Sequence, residues 1–199
     1  MIAIIDYGAG NLVSVQKAFD YLGEKSNIIS SATEFKNYNR VVLPGVGAFG
    51  SAVDQLKKAG LYDLIIDWIH EDKPFLGICL GVQLLMEESL ESIGARGLSI
   101  FNGNCLPFKE GKVPQIGWNN ISIKQETPLL DGIKDGSYFY FLHSYYIAPK
   151  ISSIITATTE YGVSYPSIIG KGNIHAVQFH PEKSGDVGLK LLKNWIQLC

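Results

Sequence analysis

The sequence predicts a three-layer α/β domain, with a central mixed and mostly parallel sheet, running over residues 1–199 as one domain. Three observations point there. Short apolar runs alternate with amphipathic helical patterns through the first half. The second half is a series of β-like runs punctuated by Gly and Pro, and the chain closes on an amphipathic helix. Strand–helix alternation builds parallel βαβ units, and later strands without intervening helices add antiparallel pairs.

Taken in order, Ile2–Ile5 reads as a buried strand and 12–22 as a helix, with apolar side chains at Leu12, Val15, Phe19 and Leu22. Ser26–Ile29 is a weaker strand, and Arg40–Leu43 is another that stops at Pro44-Gly45. A helical pattern covers 52–69 and breaks at Gly60. Phe75–Ile78 is a strand and 80–86 a helix. Strands are then expected at 121–124, 138–143, 154–159, 167–169 and 174–179, before a helix over 187–198. In such sheets, sites form where strands end and loops gather, which singles out 44–50, 77–83 and 178–184.

Composition narrows the class of function. The chain is 46% hydrophobic and 18% charged with net charge −2, so no basic surplus invites nucleic acid or an anionic membrane. Cysteines at 79, 105 and 199 form no disulfide framework, which suits a reducing compartment. The N-terminus meets Asp6 with no basic region before it, so it reads as no signal peptide. No apolar run nears the ~20 residues needed to span a bilayer. The expected location is the cytoplasm.

Gly77-Ile78-Cys79-Leu80-Gly81 follows an apolar strand and opens a helix. This is the layout of a nucleophile elbow with sulfur in place of oxygen. The glycines allow a sharp turn and leave room near the sulfur. A helix N-terminus favours the thiolate, and the Leu80 N–H faces the space where an oxyanion would form. Gln83 lies one helical turn on, on much the same face. The plainer reading of Cys79 is a buried small hydrophobe. Cys105 reads as structural and Cys199 as incidental.

A cysteine nucleophile needs an imidazole, and the candidates are His70, His143, His175 and His180. His70 ends a polar-faced helix, and His175 begins a strand without an acid beside it in sequence. His180 ends a strand, and Glu182 follows at i+2, on the same side of an extended chain, where it can hold the imidazole tautomer. Cys79, His180 and Glu182 then make a triad. His143, inside the aromatic run 138–146, is the rival base. A surface turn at 180–182 and a metal site built from the same three residues are the competing readings.

Gly45-Val46-Gly47-Ala48-Phe49-Gly50 spells G-x-G-x-x-G. A dinucleotide site wants an acid at the end of the next strand, whereas Asp63 and Asp67 fall in a helical pattern. The alternative is a backbone loop whose N–H groups complete an oxyanion hole. Asp6-Tyr7-Gly8-Ala9-Gly10-Asn11 is either a tight turn or a binding turn.

Gly77-Ile78-Cys79-Leu80-Gly81-Val82-Gln83, paired with Gln178-Phe179-His180-Pro181-Glu182-Lys183-Ser184, resembles the class I (triad) glutamine amidotransferases. Within that family, the 6–11 turn, Pro44-Gly45-Val46-Gly47, Gly117-Trp118-Asn119, 141–145 and Asn194-Trp195 look like the glutaminase subunits of imidazole glycerol phosphate synthases. The resemblance implies a flavodoxin-like amidotransferase domain that hydrolyses L-glutamine to glutamate and ammonia. It implies Cys79 as nucleophile, His180 as acid/base and Glu182 as its orienter. Gly47 and Leu80 would supply oxyanion N–H groups, and Gln83, Ser144 and Tyr145 would line the glutamine pocket. Ammonia would pass to a (βα)₈-barrel cyclase partner, met through Asn11, Trp118, Tyr140 and Lys183, giving imidazole glycerol phosphate and an aminoimidazole carboxamide ribotide. No cofactor or metal is implied. The sequence departs from the family pattern at Pro114-Gln115-Ile116 and in the acidic stretch 87–91. Neither departure touches the triad, and both leave open a glutaminase that serves another synthetase; a non-catalytic subunit is the remaining alternative, and the intact Cys79, His180 and Glu182 argue against it.

Overall fold

A computed structural model of the chain describes residues 1–8, 10–35 and 38–198. The first half follows the expected alternation: β1 (Ile2–Ile5), α1 (Leu12–Tyr21), β2 (Ser26–Ile29), β3 (Arg40–Leu43), α2 (Phe49–Lys58), α3 (Tyr62–His70), β4 (Phe75–Ile78) and α4 (Leu80–Leu84). The second half holds β5 (Glu88–Ser89), β6 (Gly103–Pro107), β7 (Gln115–Asn120), β8 (Ser122–Ile123), β9 (Tyr138–His143), β10 (Tyr145–Pro149), β11 (Ile155–Glu160), β12 (Ser164–Lys171), β13 (Ile174–Val177) and α5 (Gly185–Leu198).

The main sheet has the order β2-β1-β3-β4-β13-β12-β11-β8. From β2 to β13 all pairings are parallel, and from β13 to β8 all are antiparallel. Alternate side chains feed two cores, one on each face. Ala3, Ile5, Val41 and Leu43 pack with α2 and α3, whereas Ile2, Ile4 and Val42 pack with α1 and α5. Strands buried on both faces read as unbroken apolar runs, which is why the parallel half is legible from sequence.

Several expectations needed revision. The expected break at Gly60 is present, with φ +68° where a side chain would be strained, but the first of the two helices starts earlier than 52, at Phe49. The helix expected over 80–86 ends at Leu84. β8 covers only part of 121–124, and β12 extends beyond 167–169 at both ends. β6, β7 and β10 escaped the reading. β7 and β9 form a separate antiparallel pair, and β10-β6-β5 a small three-stranded sheet. β7 alternates buried and open positions around Gly117, a glycine at φ +129°, so it lacks the apolar run that marks β1 or β4.

Candidate active site

β4 and β13 lie side by side, with Val177 opposite Ile78, so the loops beyond their C-terminal ends meet. One brings Cys79 and the other brings His180. Cys79 sits at φ +56°, ψ −104°, a conformation that costs a non-glycine residue about 1–3 kcal/mol and that clusters at functional turns. The flanking glycines serve a different need from the one expected. Neither needs a positive φ. A Cβ at Gly77 would stand 2.9 Å from the Gly81 carbonyl, and one at Gly81 would run into the Leu43 carbonyl. They let the start of α4 lie directly on the sheet, and the cysteine itself carries the strain. With five residues, α4 also offers a weaker dipole than a full helix.

His180 Nδ1 and Glu182 Oε1 are 2.9 Å apart, with both side chains almost fully buried. Since a carboxylate oxygen only accepts, Nδ1 carries a hydrogen and Nε2 is the working nitrogen. Nε2 makes no other protein hydrogen bond, and Cys79 lies close enough to act on the ring electrostatically. Burial alone would lower the pKa of His180. The negative charge of a Cys79 thiolate and the bond to Glu182 outweigh that and raise it to about 10. The site therefore favours the imidazolium form of His180. The His180 backbone is pinned as well: its N–H donates to the Tyr140 carbonyl at 2.9 Å, and its carbonyl accepts from Ser184 Oγ at 2.6 Å.

A cavity of about 430 Å³ opens at Cys79, and Gly47, Leu80, Gln83, Ser144 and Tyr145 all line it. Gln83 Nε2 donates to the Tyr145 carbonyl at 2.8 Å, so two of the expected pocket residues position each other. A larger cavity, about 840 Å³, lies among residues 123–135 and contains none of the candidate residues. The Leu80 N–H is occupied: it donates to the Gly45 carbonyl at 3.3 Å. Asn11 caps α1, accepting from the Ser14 N–H at 3.3 Å, and borders a narrow cleft shared with His180, Glu182 and Lys183. Trp118 and Tyr140 meet edge to face at 6.2 Å, and Lys183 Nζ stands 6.0 Å over the Tyr140 ring. Trp118 is 56% exposed, so this cluster forms an open aromatic face beside the triad.

His143, the rival base, also lines the Cys79 cavity, but both its ring nitrogens are engaged. Its Nδ1 donates to the Tyr145 carbonyl at 2.8 Å, and its Nε2 faces the Tyr165 hydroxyl at 3.3 Å. Burial, aided by the charge of His180, lowers its pKa to about 4, against a smaller opposing effect of the Tyr145 bond. The ring is therefore neutral at pH 7. His70 is exposed at the end of α3, and His175 lies at the opposite end of β13 from the triad, within the field of Asp72. Cys105 is fully buried and its thiol pKa is pushed up by desolvation, in keeping with a structural role; Cys199 lies outside the described residues. Asp63 and Asp67 are inside α3, not at the end of the next strand where the dinucleotide fingerprint wants its acid.

Some neighbours of the sulfur went unread. Gln178 is fully buried with Nε2 4.0 Å from Cys79 Sγ, and the Leu142 carbonyl lies 3.7 Å from the same sulfur. The signal for Gln178 was available, since it precedes His180 by two on extended chain. Glu91 also lines the cavity, while one of its oxygens accepts from the Phe49 N–H at 2.7 Å. Nothing local to the acidic stretch 87–91 marked which carboxylate turns inward.

Comparison with known proteins identifies the family. Residues 3–198 match the family model "Glutamine amidotransferase class-I". The chain is 52% identical over 196 residues to "Imidazole glycerol phosphate synthase subunit HisH" of Caldanaerobacter subterraneus subsp. tengcongensis, covering 98% of this chain and 97% of that protein. It is 49% identical over 199 residues to the protein of the same name from Methanocaldococcus jannaschii, covering 100% of both. Among solved structures, a glutamine amidotransferase superposes with TM-score 0.78 at 15% identity, covering 100% of this chain and 98% of that one. PurLQS from Thermotoga maritima gives 0.77 at 16%, covering 98% and 97%. At those identities the structural likeness is one of fold, and the sequence matches carry the assignment. Matched by the family model over residues 3–198 and by these relatives over its full length, the chain belongs to the class-I glutamine amidotransferase family.

Proposed function

We propose that this chain is the glutaminase subunit of an imidazole glycerol phosphate synthase, with residues 1–199 working as one amidotransferase domain in the cytoplasm. The observation that carries the chemistry is the buried His180–Glu182 pair, whose imidazole interacts with Cys79. The full-length similarity to subunits of that name supports the pathway. The scarcity of cysteines supports the compartment.

The Cys79 thiolate attacks the side-chain amide carbon of L-glutamine, giving a tetrahedral oxyanion. His180 gives its proton to the departing nitrogen, the C–N bond breaks, and ammonia leaves a glutamyl thioester. His180 then takes a proton from water, whose oxygen attacks the thioester and releases glutamate and the thiolate. Glu182 holds the imidazole in the productive tautomer. Gln83, Ser144 and Tyr145 hold the substrate. Among the described residues Glu91 is the acid in the cavity lining, and it has the right charge for the substrate's ammonium group.

The oxyanion needs N–H donors, and the Leu80 N–H is engaged by Gly45. Rotating the Gly45–Val46 peptide withdraws that carbonyl and turns the Val46 N–H the other way. Gly47, at φ +105°, can take up the compensating rotation, and its own backbone borders the same cavity. The resting site is thus poised but incomplete, which suits an enzyme whose ammonia is wasted without an acceptor. The acceptor is a (βα)₈-barrel cyclase, which docks on the face of Asn11, Trp118, Tyr140 and Lys183, receives the ammonia by channelling and completes the lyase reaction.

The test is glutamine hydrolysis with and without the barrel cyclase and its ribotide, beside a Cys79→Ala variant. Strong stimulation by the loaded partner is expected, with a loss of roughly 10⁴-fold or more in the variant. Stimulation only by a different synthetase would reassign the acceptor, and undiminished turnover in the variant would remove Cys79 as the nucleophile.

A further inference from the structure

The loop before α2 is a wall between two cavities. Val46, Gly47 and Ala48 line both the Cys79 cavity and a second one of about 250 Å³. Tyr7 lines the second. Tyr7 stands directly against Gly45: a Cβ added there would run into the Tyr7 hydroxyl. That hydroxyl is buried, since Tyr7 is 4% exposed, and it has no hydrogen-bond partner. A buried hydroxyl without a partner costs free energy, and one that persists invites a functional account. Burial first, then the charges of Cys79 and Asp6, push its pKa up, so the group stays a donor.

A buried carbonyl needs a donor in whichever direction it points. In this structure the Gly45 carbonyl has the Leu80 N–H. Once it turns away it needs another. We propose that the Tyr7 hydroxyl is that donor: a positioning residue that takes the Gly45 carbonyl when it leaves Leu80 and so holds the oxyanion hole open. The inference rests on the glutaminase reading above. It makes the 6–11 turn part of the active-site machinery, through a residue that touches neither substrate nor sulfur.

The experiment uses the complete complex with the barrel cyclase and its ribotide, comparing the wild type with Tyr7→Phe. The expected result is a fall in kcat for glutamine of about tenfold, the worth of one net hydrogen bond, with KM within about twofold. Alkylation of Cys79 by iodoacetamide develops no oxyanion, so its rate should stay at the wild-type value. The aldehyde analogue of glutamine, which forms a tetrahedral adduct on the sulfur, should bind about tenfold more weakly. An unchanged kcat overturns the proposal. So does a loss shared equally by kcat, KM and alkylation, which would mark simple packing. If the wild-type complex hydrolyses no glutamine, the functional reading fails instead. The aldehyde comparison still decides for Tyr7, since equal affinity in the two proteins overturns it.

Discussion

On one side of Cys79 the parts are in place. His180 and Glu182 are paired at 2.9 Å, buried, and tied to β9 through the Tyr140 carbonyl. On the other side the loop at Gly45 keeps its carbonyl on the Leu80 N–H, so under the proposed mechanism a donor for the oxyanion is occupied in the resting site. The acid–base half is built from side chains locked by a sheet, and the oxyanion half from a glycine loop with room behind it. Proton transfer needs only a matched pKa and a short reach, which rigid packing supplies. Stabilising the oxyanion needs donors aimed at a charge that does not yet exist, and under the proposed mechanism a loop that turns can withhold them.

The comparison breaks most severely at the built side. Glu182→Gln keeps the shape but lets the imidazole sit in the wrong tautomer, and removes one of the influences that raise its pKa. We expect glutamine turnover in the active complex to fall by roughly 10³-fold. NMR titration should place the His180 pKa below that of the wild type. A variant that keeps both its turnover and its imidazole pKa would mean the pair is structural only.

The two buried histidines give the next test, with opposite signs. His180 has a raised pKa, so its contribution to stability is complete below 6.5 and is lost as pH rises toward about 10. His143 has a lowered pKa. Below 6.5 the unfolded chain takes a proton that the native ring refuses until about pH 4, so stability falls as pH drops through that window. The shift corresponds to about 3 kcal/mol at most. Denaturant unfolding at pH 7 and pH 4.5 should show this loss in the wild type and lose that part of it in His143→Gln. Identical pH slopes in the two proteins would mean that His143 titrates normally, and would restore it as a rival base.

The two sides also differ in how far the sequence discloses them. The parallel strands and the elbow are local patterns: apolar runs, a Gly-x-Cys-x-Gly turn, and an i, i+2 pair at His180 and Glu182. Each could be read without knowing what lies across the sheet. Gln178 and Glu91 are also near in sequence to marked residues, yet their roles come from what faces them. Tyr7 is further still, because its meaning depends on Gly45, and these two meet only when β1 and β3 pair side by side. β6, β7 and β10 were missed for a related reason. They pair within small sheets with only one buried face, so they show no unbroken apolar run.

The smallest effect tests the contact between the 6–11 turn and the loop directly. Gly45→Ala places a methyl against the Tyr7 hydroxyl and 3.2 Å from the Leu80 Cβ. Overpacking of this kind costs about 2 kcal/mol, measurable by denaturant unfolding. Tyr7→Phe removes the atom the methyl meets first, though the ring carbon behind it, at 2.9 Å, remains. The double variant should therefore recover part of the loss, with a coupling of about 1 kcal/mol. Strict additivity would mean that the hydroxyl does not rest on Gly45. The loop would then lack its second resting place, and its two orientations would have to be held by groups outside the 6–11 turn.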